Sequence, residues 1–100
     1  MTEQAVVDAT VRVLDARGAV HFNIAAGNGE TGLPDRFFAY RGHGGFIEAK
    51  RPKGGRLSPK QTWWLDRLAG AGMWTLVVID ADQVRRALDK IDEIEDGRGL

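Results

Sequence analysis

Apolar and polar positions alternate along this chain with two distinct periods. From residue 3 to residue 17, Val6, Val7, Thr10, Val13 and Leu14 recur at helical spacing, with Thr2 placed as N-cap and Gly18 as a stop. The stretch AVHFNIAA, 19–26, alternates as a strand does and runs into a glycine-rich connection, GNGETG, 27–32. Two aromatic or β-branched runs follow, RFFAYR at 36–41 and GFIEAK at 45–50, separated by Gly42, His43 and Gly44. They read as a hairpin, most economically turned at Gly42-His43 with glycine first, as a type II′ turn requires. Pro52 and Gly54-Gly55 end that strand. A second helix begins at Ser58, with Pro59 at the first helical position and Gln61 completing a capping box; Trp64, Leu65, Leu68 and Ala71 form its apolar face. MWTLVVI, 73–79, is apolar on both faces and suits a central strand covered on both sides. Asp80 and Gln83 open a third helix through Val84, Leu88 and Ile91, and EIEDGRGL is expected to fray. The predicted order is α-β-β-β-α-β-α, without internal repeats.

Composition narrows the class. With 100 residues, 43% hydrophobic and 28% charged, the chain matches one folded α/β domain spanning 1–100, with an acidic tail from about 92. The longest uncharged run, Leu68 to Ile79, falls far short of the ~20 residues that cross a bilayer, so no membrane partner is expected. The N-terminus lacks a basic-then-apolar signal, and zero cysteines exclude disulfides, thiolate zinc sites and cysteine nucleophiles. The expected compartment is the cytoplasm, and any metal would be held by oxygen or imidazole.

Net charge is zero but unevenly spread: residues 1–33 balance at −2, 34–70 at +5 and 71–100 at −3. Between Lys50 and Lys60 lie five cations, Lys50, Arg51, Lys53, Arg56 and Lys60, and no acid. That run fits either a polyanion site or a solvated basic loop.

The hairpin carries the candidate chemistry. With a Gly42-His43 loop, Asp35 faces Lys50 and Phe37 faces Glu48, and alternation puts Asp35, Glu48 and Lys50 on one face. Neighbouring side chains there lie within about 5 to 8 Å, close enough for two carboxylates to share a hard cation. Spacing alone leaves a second reading open, a surface cluster in which Lys50 pairs with one carboxylate.

Gly32-Leu33-Pro34-Asp35, Glu48-Ala49-Lys50-Arg51-Pro52 with Gly54-Gly55, and Ser58-Pro59-Lys60-Gln61 together resemble the PD-(D/E)xK nuclease superfamily. The nearest likeness is its VRR-NUC (virus-type replication-repair nuclease) branch, with motifs in order from Glu3 to about Ile79. The resemblance implies a restriction-endonuclease-like α-β-β-β-α-β core, with a mixed central sheet flanked by helices and a C-terminal helix added. It implies a metal-dependent DNA endonuclease in which Asp35, Glu48 and the main-chain carbonyl of Ala49 hold Mg²⁺ or Mn²⁺. Lys50 would orient or deprotonate the attacking water, leaving a 5′-phosphate and a 3′-hydroxyl. Gln61 matches the family glutamine, although its place in the capping box is reason enough for it. Glu3 matches a helix-one acid that reaches the metal through water; a first-turn glutamate also complements the helix dipole.

Lys53, Arg56 and Lys60 are expected to contact phosphates. Arg51 is a further DNA-binding candidate, although alternation points it and Arg36 away from the carboxylates. His21 and His43 show no ligand spacing and are assigned structural or solvent roles. Of Trp63 and Trp64, one must be core, and Trp63 is assigned to a partner surface rather than to base stacking. The expected function is a Holliday-junction-resolvase type of nuclease, acting as a homodimer on branched or four-way DNA. A less selective flap or linear-DNA nuclease, and a catalytically silent DNA-binding module, are the alternatives.

Overall fold

The computed structural model describes residues 1–24 and 31–97. Part of the expected first strand (25–26), most of the glycine-rich connection and the last three tail residues lie outside them. Seven elements follow in order: α1 Glu3–Arg17, β1 Val20–Asn23, β2 Arg36–Tyr40, β3 His43–Ala49, α2 Pro59–Gly70, β4 Trp74–Val78 and α3 Ala81–Glu95. The predicted order is reproduced, and each helix begins at the expected cap. The side chains of Thr2, Ser58 and Asp80 accept from Ala5, Gln61 and Gln83 backbone N–H groups, satisfying donors that the first turn leaves free.

The strands form one mixed sheet in the order β1-β2-β3-β4, antiparallel except for the parallel β3–β4 pair that α2 connects. Phe38, Ile47, Ala49 and Val78 point to one face and are buried there with Val6, Val13 and Leu14 of α1 and Val84, Leu88 and Ile91 of α3. Each large apolar side chain so buried contributes about 1.5 to 3 kcal/mol. Glu48, alternating with Ile47 and Ala49, points to the opposite face, where α2 packs. At Gly45 a Cβ would meet Phe38 Cε1 and Trp74 Cβ at 2.6 Å, so the missing side chain lets β2 and β4 close on β3.

Four expectations are corrected. The hairpin turns at Arg41-Gly42, not Gly42-His43. Both residues have positive φ, 48° and 83°, the requirement of a type I′ turn, and Arg41 is held there through Asp92 (2.8 Å) and Asp96 (2.9 Å). Tyr40 therefore pairs with His43 and Arg36 with Ile47, which sets Asp35 opposite Glu48 and Phe37 opposite Phe46. A shift of two residues leaves every side chain on its predicted face.

Second, β4 is an edge strand among the described residues, with Val77 and Ile79 more than a third exposed, because strand order places nothing beyond it. Third, Ala71 caps the end of α2 and is exposed instead of joining its apolar face. Fourth, α3 runs to Glu95, so the beginning of the acidic tail is helical. Asp92 accepts from Tyr40 Oη (2.8 Å) and pairs with Arg17 (2.6 Å) and Arg41, and Glu95 meets His43 (2.6 Å). Arg41, Tyr40 and Arg17 hold the Asp92 carboxyl down at about 2. No helix among the described residues is long and apolar enough to cross a membrane.

Candidate active site

The C-terminal end of β3 collects the chemistry. Glu48 is 2% exposed, and its Oε2 accepts from Gln61 Nε2 at 3.0 Å and lies 3.3 Å from Lys50 Nζ. Its other oxygen, Oε1, is buried without a hydrogen-bond partner among the described residues. Burial, and then the charge of Asp35, push the Glu48 carboxyl up to about 7; Lys50 opposes the rise and Glu3 adds to it. An ionised Glu48 is thus under-compensated by the protein alone.

Asp35 stands one residue before β2, and its Oδ2 accepts from the Ala49 backbone N–H at 2.9 Å. Its own carbonyl accepts from Ile24, extending the β1–β2 pairing. The carboxylate therefore takes the place of a ladder partner at the C-terminal end of β3. A strand residue's N–H and C=O point to the same side, so the Ala49 carbonyl also faces Asp35. Pro34, fully buried, fixes the approach to this position.

Gln61 serves two partners at once. Its Oε1 accepts from Ser58 N at 2.9 Å while its Nε2 holds Glu48, so the capping box aims the amide at the carboxylate. The two readings of this residue are compatible. Glu3 sits exposed in the first turn of α1, near enough to act on Glu48 through its charge. Among the described residues no three carboxylate, imidazole or thiolate side chains converge as a metal cluster. The oxygen donors present are two coupled carboxylates and a backbone carbonyl, hard ligands of the type magnesium and manganese prefer. The unpartnered, buried Glu48 Oε1 fits that role.

A cavity of about 610 Å³ opens beside Lys50, lined by Met1, Thr2, Glu3, Arg51, Gly54, Gly55 and Arg56. Arg51 and Arg56 thus border the site, and Lys53 is exposed on the same loop. Lys60 is exposed with its stem against Gly32, where a Cβ would come within 2.6 Å of Lys60 Cγ. Arg36 turns to the other face and donates to His21 Nδ1 at 2.9 Å, while His21 Nε2 meets Asp15 at 2.6 Å. His43 accepts at Nδ1 from Trp74 Nε1 (3.1 Å). Both histidines link elements of the fold, through Asp15 and Glu95 and not through Asp35 or Glu48.

Sequence reasoning missed the Asp35 bond to Ala49, for which no local signal exists, and the depth of Glu48. The GFIEA run, with apolar residues on both sides of the acid, hinted at that depth.

No family model matches this sequence, and no curated protein matches it at a significant level. Among solved structures, a VRR_NUC domain is similar over 89% of this chain and 97% of its own length, with a TM-score of 0.76 and 23% sequence identity. The mixed four-stranded sheet with its three helices, and the buried acid at the end of β3, are thus set in the fold of a VRR_NUC domain.

Proposed function

We propose that this protein is a metal-dependent DNA endonuclease that hydrolyses phosphodiester bonds at branched, four-way junctions, working in the cytoplasm as a homodimer. The observation that carries the reading is Glu48: buried, raised to about 7 by burial and by the charge of Asp35, tied to Lys50 and Gln61 through one oxygen, and at the other without a partner among the described residues. The VRR_NUC fold supports the reaction class.

Asp35, Glu48 and the Ala49 carbonyl would hold Mg²⁺ or Mn²⁺, with Glu3 reaching it through water. When bound, the cation supplies positive charge that lowers the pKa of a water and neutralises the scissile phosphate. The remaining work falls to the chain. Gln61 keeps Glu48 in one rotamer, and the Ala49 N–H fixes Asp35, so neither carboxylate reorganises during the reaction. Lys50, 15% exposed at its side chain, is sheltered enough to orient the attacking water and to stabilise charge on the phosphorane-like transition state. Arg51, Lys53, Arg56 and Lys60 contact phosphates on either side, adding affinity without reading sequence.

Two symmetric cuts need two sites, and the described residues form one around Glu48; a twofold dimer would supply the second. The sheet face shared with Glu48 supports such a contact. Its β1 end shows Val20 (68% exposed) and Phe22 (54% exposed), with Phe22 packed on Phe37 and Phe37 on Phe46 at ring separations of 5.2 and 5.4 Å.

The test is cleavage of an end-labelled four-way junction beside linear duplex of the same sequence, in Mg²⁺, Mn²⁺ or EDTA. Wild type should make paired, metal-dependent cuts in the junction. Lys50→Ala and Asp35→Ala should abolish them while junction binding persists. Equal cutting of linear duplex or flaps would make it a less selective nuclease. Junction bound but uncut under every metal would make it a DNA-binding module with a nuclease fold.

A further inference from the structure

Helix α2 uses one face to hold Glu48 through Gln61 and to bury Leu65, and its opposite face carries a different pattern. Lys60, Trp63 and Arg67, at positions i, i+3 and i+7, form a single stripe along it. Trp63 is 49% exposed, unusual for so large a side chain. The Arg67 guanidinium lies over its ring, 4.8 Å from the centroid, and the Trp64 ring meets it edge-on at 5.0 Å and 85°. Trp63 is thus held in place while half of it remains in solvent. Against it, one turn towards the helix N-terminus, lies a cavity of about 340 Å³ lined by Pro59, Lys60 and Trp63.

The position of this slot matters. Lys60 packs on Gly32, three residues before Asp35, and its neighbour Gln61 bonds to Glu48. The stripe therefore starts at the rim of the candidate active site and runs away from it with a cation at each end and an aromatic ring between. A ring flanked by cations matches an unpaired nucleotide, whose base has a free π-face and whose neighbouring phosphates are anionic. In an uninterrupted duplex both faces of each base are already stacked, so the ring has nothing to stack on. The cavity is at the small end of ligand sites, suited to one base. A second copy is a poorer fit, because a twofold contact here would bring the stripe's cations towards their own images.

We propose that Trp63, which the sequence alone assigned to a partner surface, is a stacking platform for an unpaired base next to the scissile phosphate, with Lys60 and Arg67 on the adjoining phosphates. The proposal rests on the nuclease reading and deepens it: the base that Trp63 takes is one left unpaired where the arms of a branched DNA meet. Base identity is not read, since every base offers a π-face.

The test is equilibrium binding in EDTA of a single-stranded oligothymidylate, a blunt duplex and a four-way junction to the full chain. Wild type is compared with Trp63→Ala and Trp63→Phe across a salt series. Trp63→Ala should weaken single-strand binding about 5- to 150-fold while leaving its log–log salt slope and the duplex affinity unchanged, and Trp63→Phe should recover much of the loss. Unchanged single-strand affinity in Trp63→Ala would overturn the proposal, as would an equal loss on single strand and duplex. Unchanged DNA affinity with conversion of a dimer to a monomer in sedimentation would assign the ring to a contact between copies, and would also overturn it. Because binding is read without turnover, Trp63-dependent capture of DNA that is never cut in Mg²⁺ or Mn²⁺ would uphold this inference while refuting the nuclease.

Discussion

Replacing Glu48 by glutamine keeps the shape of the side chain and removes its ability to ionise. In the metal-free protein Glu48 is 2% exposed and its carboxyl is raised from 4.5 to about 7, first by burial and then by Asp35. A rise of that size corresponds to about 3 kcal/mol against the charged form in the folded state. The sign follows from proton binding. Between about 4.5 and about 7 the native state holds more protons than the unfolded chain, so this group's contribution is full below that window and is lost as pH rises through it.

In EDTA, wild type should therefore lose stability between pH 5 and pH 8, while Glu48→Gln should not. The variant keeps an acceptor for Gln61 but gives up the Lys50 ion pair, so a gain of about 1 to 3 kcal/mol at pH 8 is expected. For a domain of this size that is roughly 5 to 15 °C in Tm. At pH 5 the two proteins should melt close together. Mg²⁺ at pH 8 should raise the Tm of wild type and leave the variant unmoved, since a ligand stabilises only the state that binds it. Thermal melts followed by far-UV circular dichroism measure all of this. Asp92, held down at about 2, acts with the opposite sign and at lower pH, its contribution being lost only as pH falls from 3.8 through about 2. A Glu48→Gln protein that melts below wild type at pH 8 would show that the Lys50 ion pair outweighs the cost of burial. A wild type with no slope between pH 5 and pH 7 would refute the burial argument itself.

Lys53→Ala with Arg56→Ala should weaken duplex and junction binding alike and reduce the log–log salt slope by about one to two; an unchanged slope removes both residues from the DNA interface. Phe22→Glu should convert a dimer to a monomer in sedimentation velocity and uncouple the paired junction cuts, because a charge would be placed on an apolar contact face. A wild type that is already monomeric at assay concentration would move the second active site elsewhere.

The helix starts were legible because their chemistry is local. Thr2, Ser58 and Asp80 each satisfy a backbone donor three residues along, and Pro59 is preset for the turn it occupies. The common face of Glu48 and Lys50 was legible because alternation has a period of two and survives a two-residue slip in register. The slip itself was not. A turn at Arg41-Gly42 needs a non-glycine residue at φ 48°, and what holds Arg41 there is Asp92 and Asp96, fifty residues away.

The same distance separates the remaining corrections from any local signal. The run 73–79 is apolar on both faces, yet among the described residues strand order puts β4 at an edge, and no pattern within seven residues reports which strand lies beside them. The start of the acidic tail became helix because Tyr40, His43, Arg17 and Arg41 gather its carboxylates. At the site, the sequence by itself determined which residues face one another's side of the sheet, through caps and alternation that act over at most four positions. Only the tertiary structure decided that Glu48 is out of water and near neutral pH in its titration, that Asp35 is anchored by Ala49, and that Trp63 stands half exposed between Arg67 and a cavity. Burial and long-range pairing are sums over neighbours contributed by other elements, and those neighbours exist only once the chain has closed on itself.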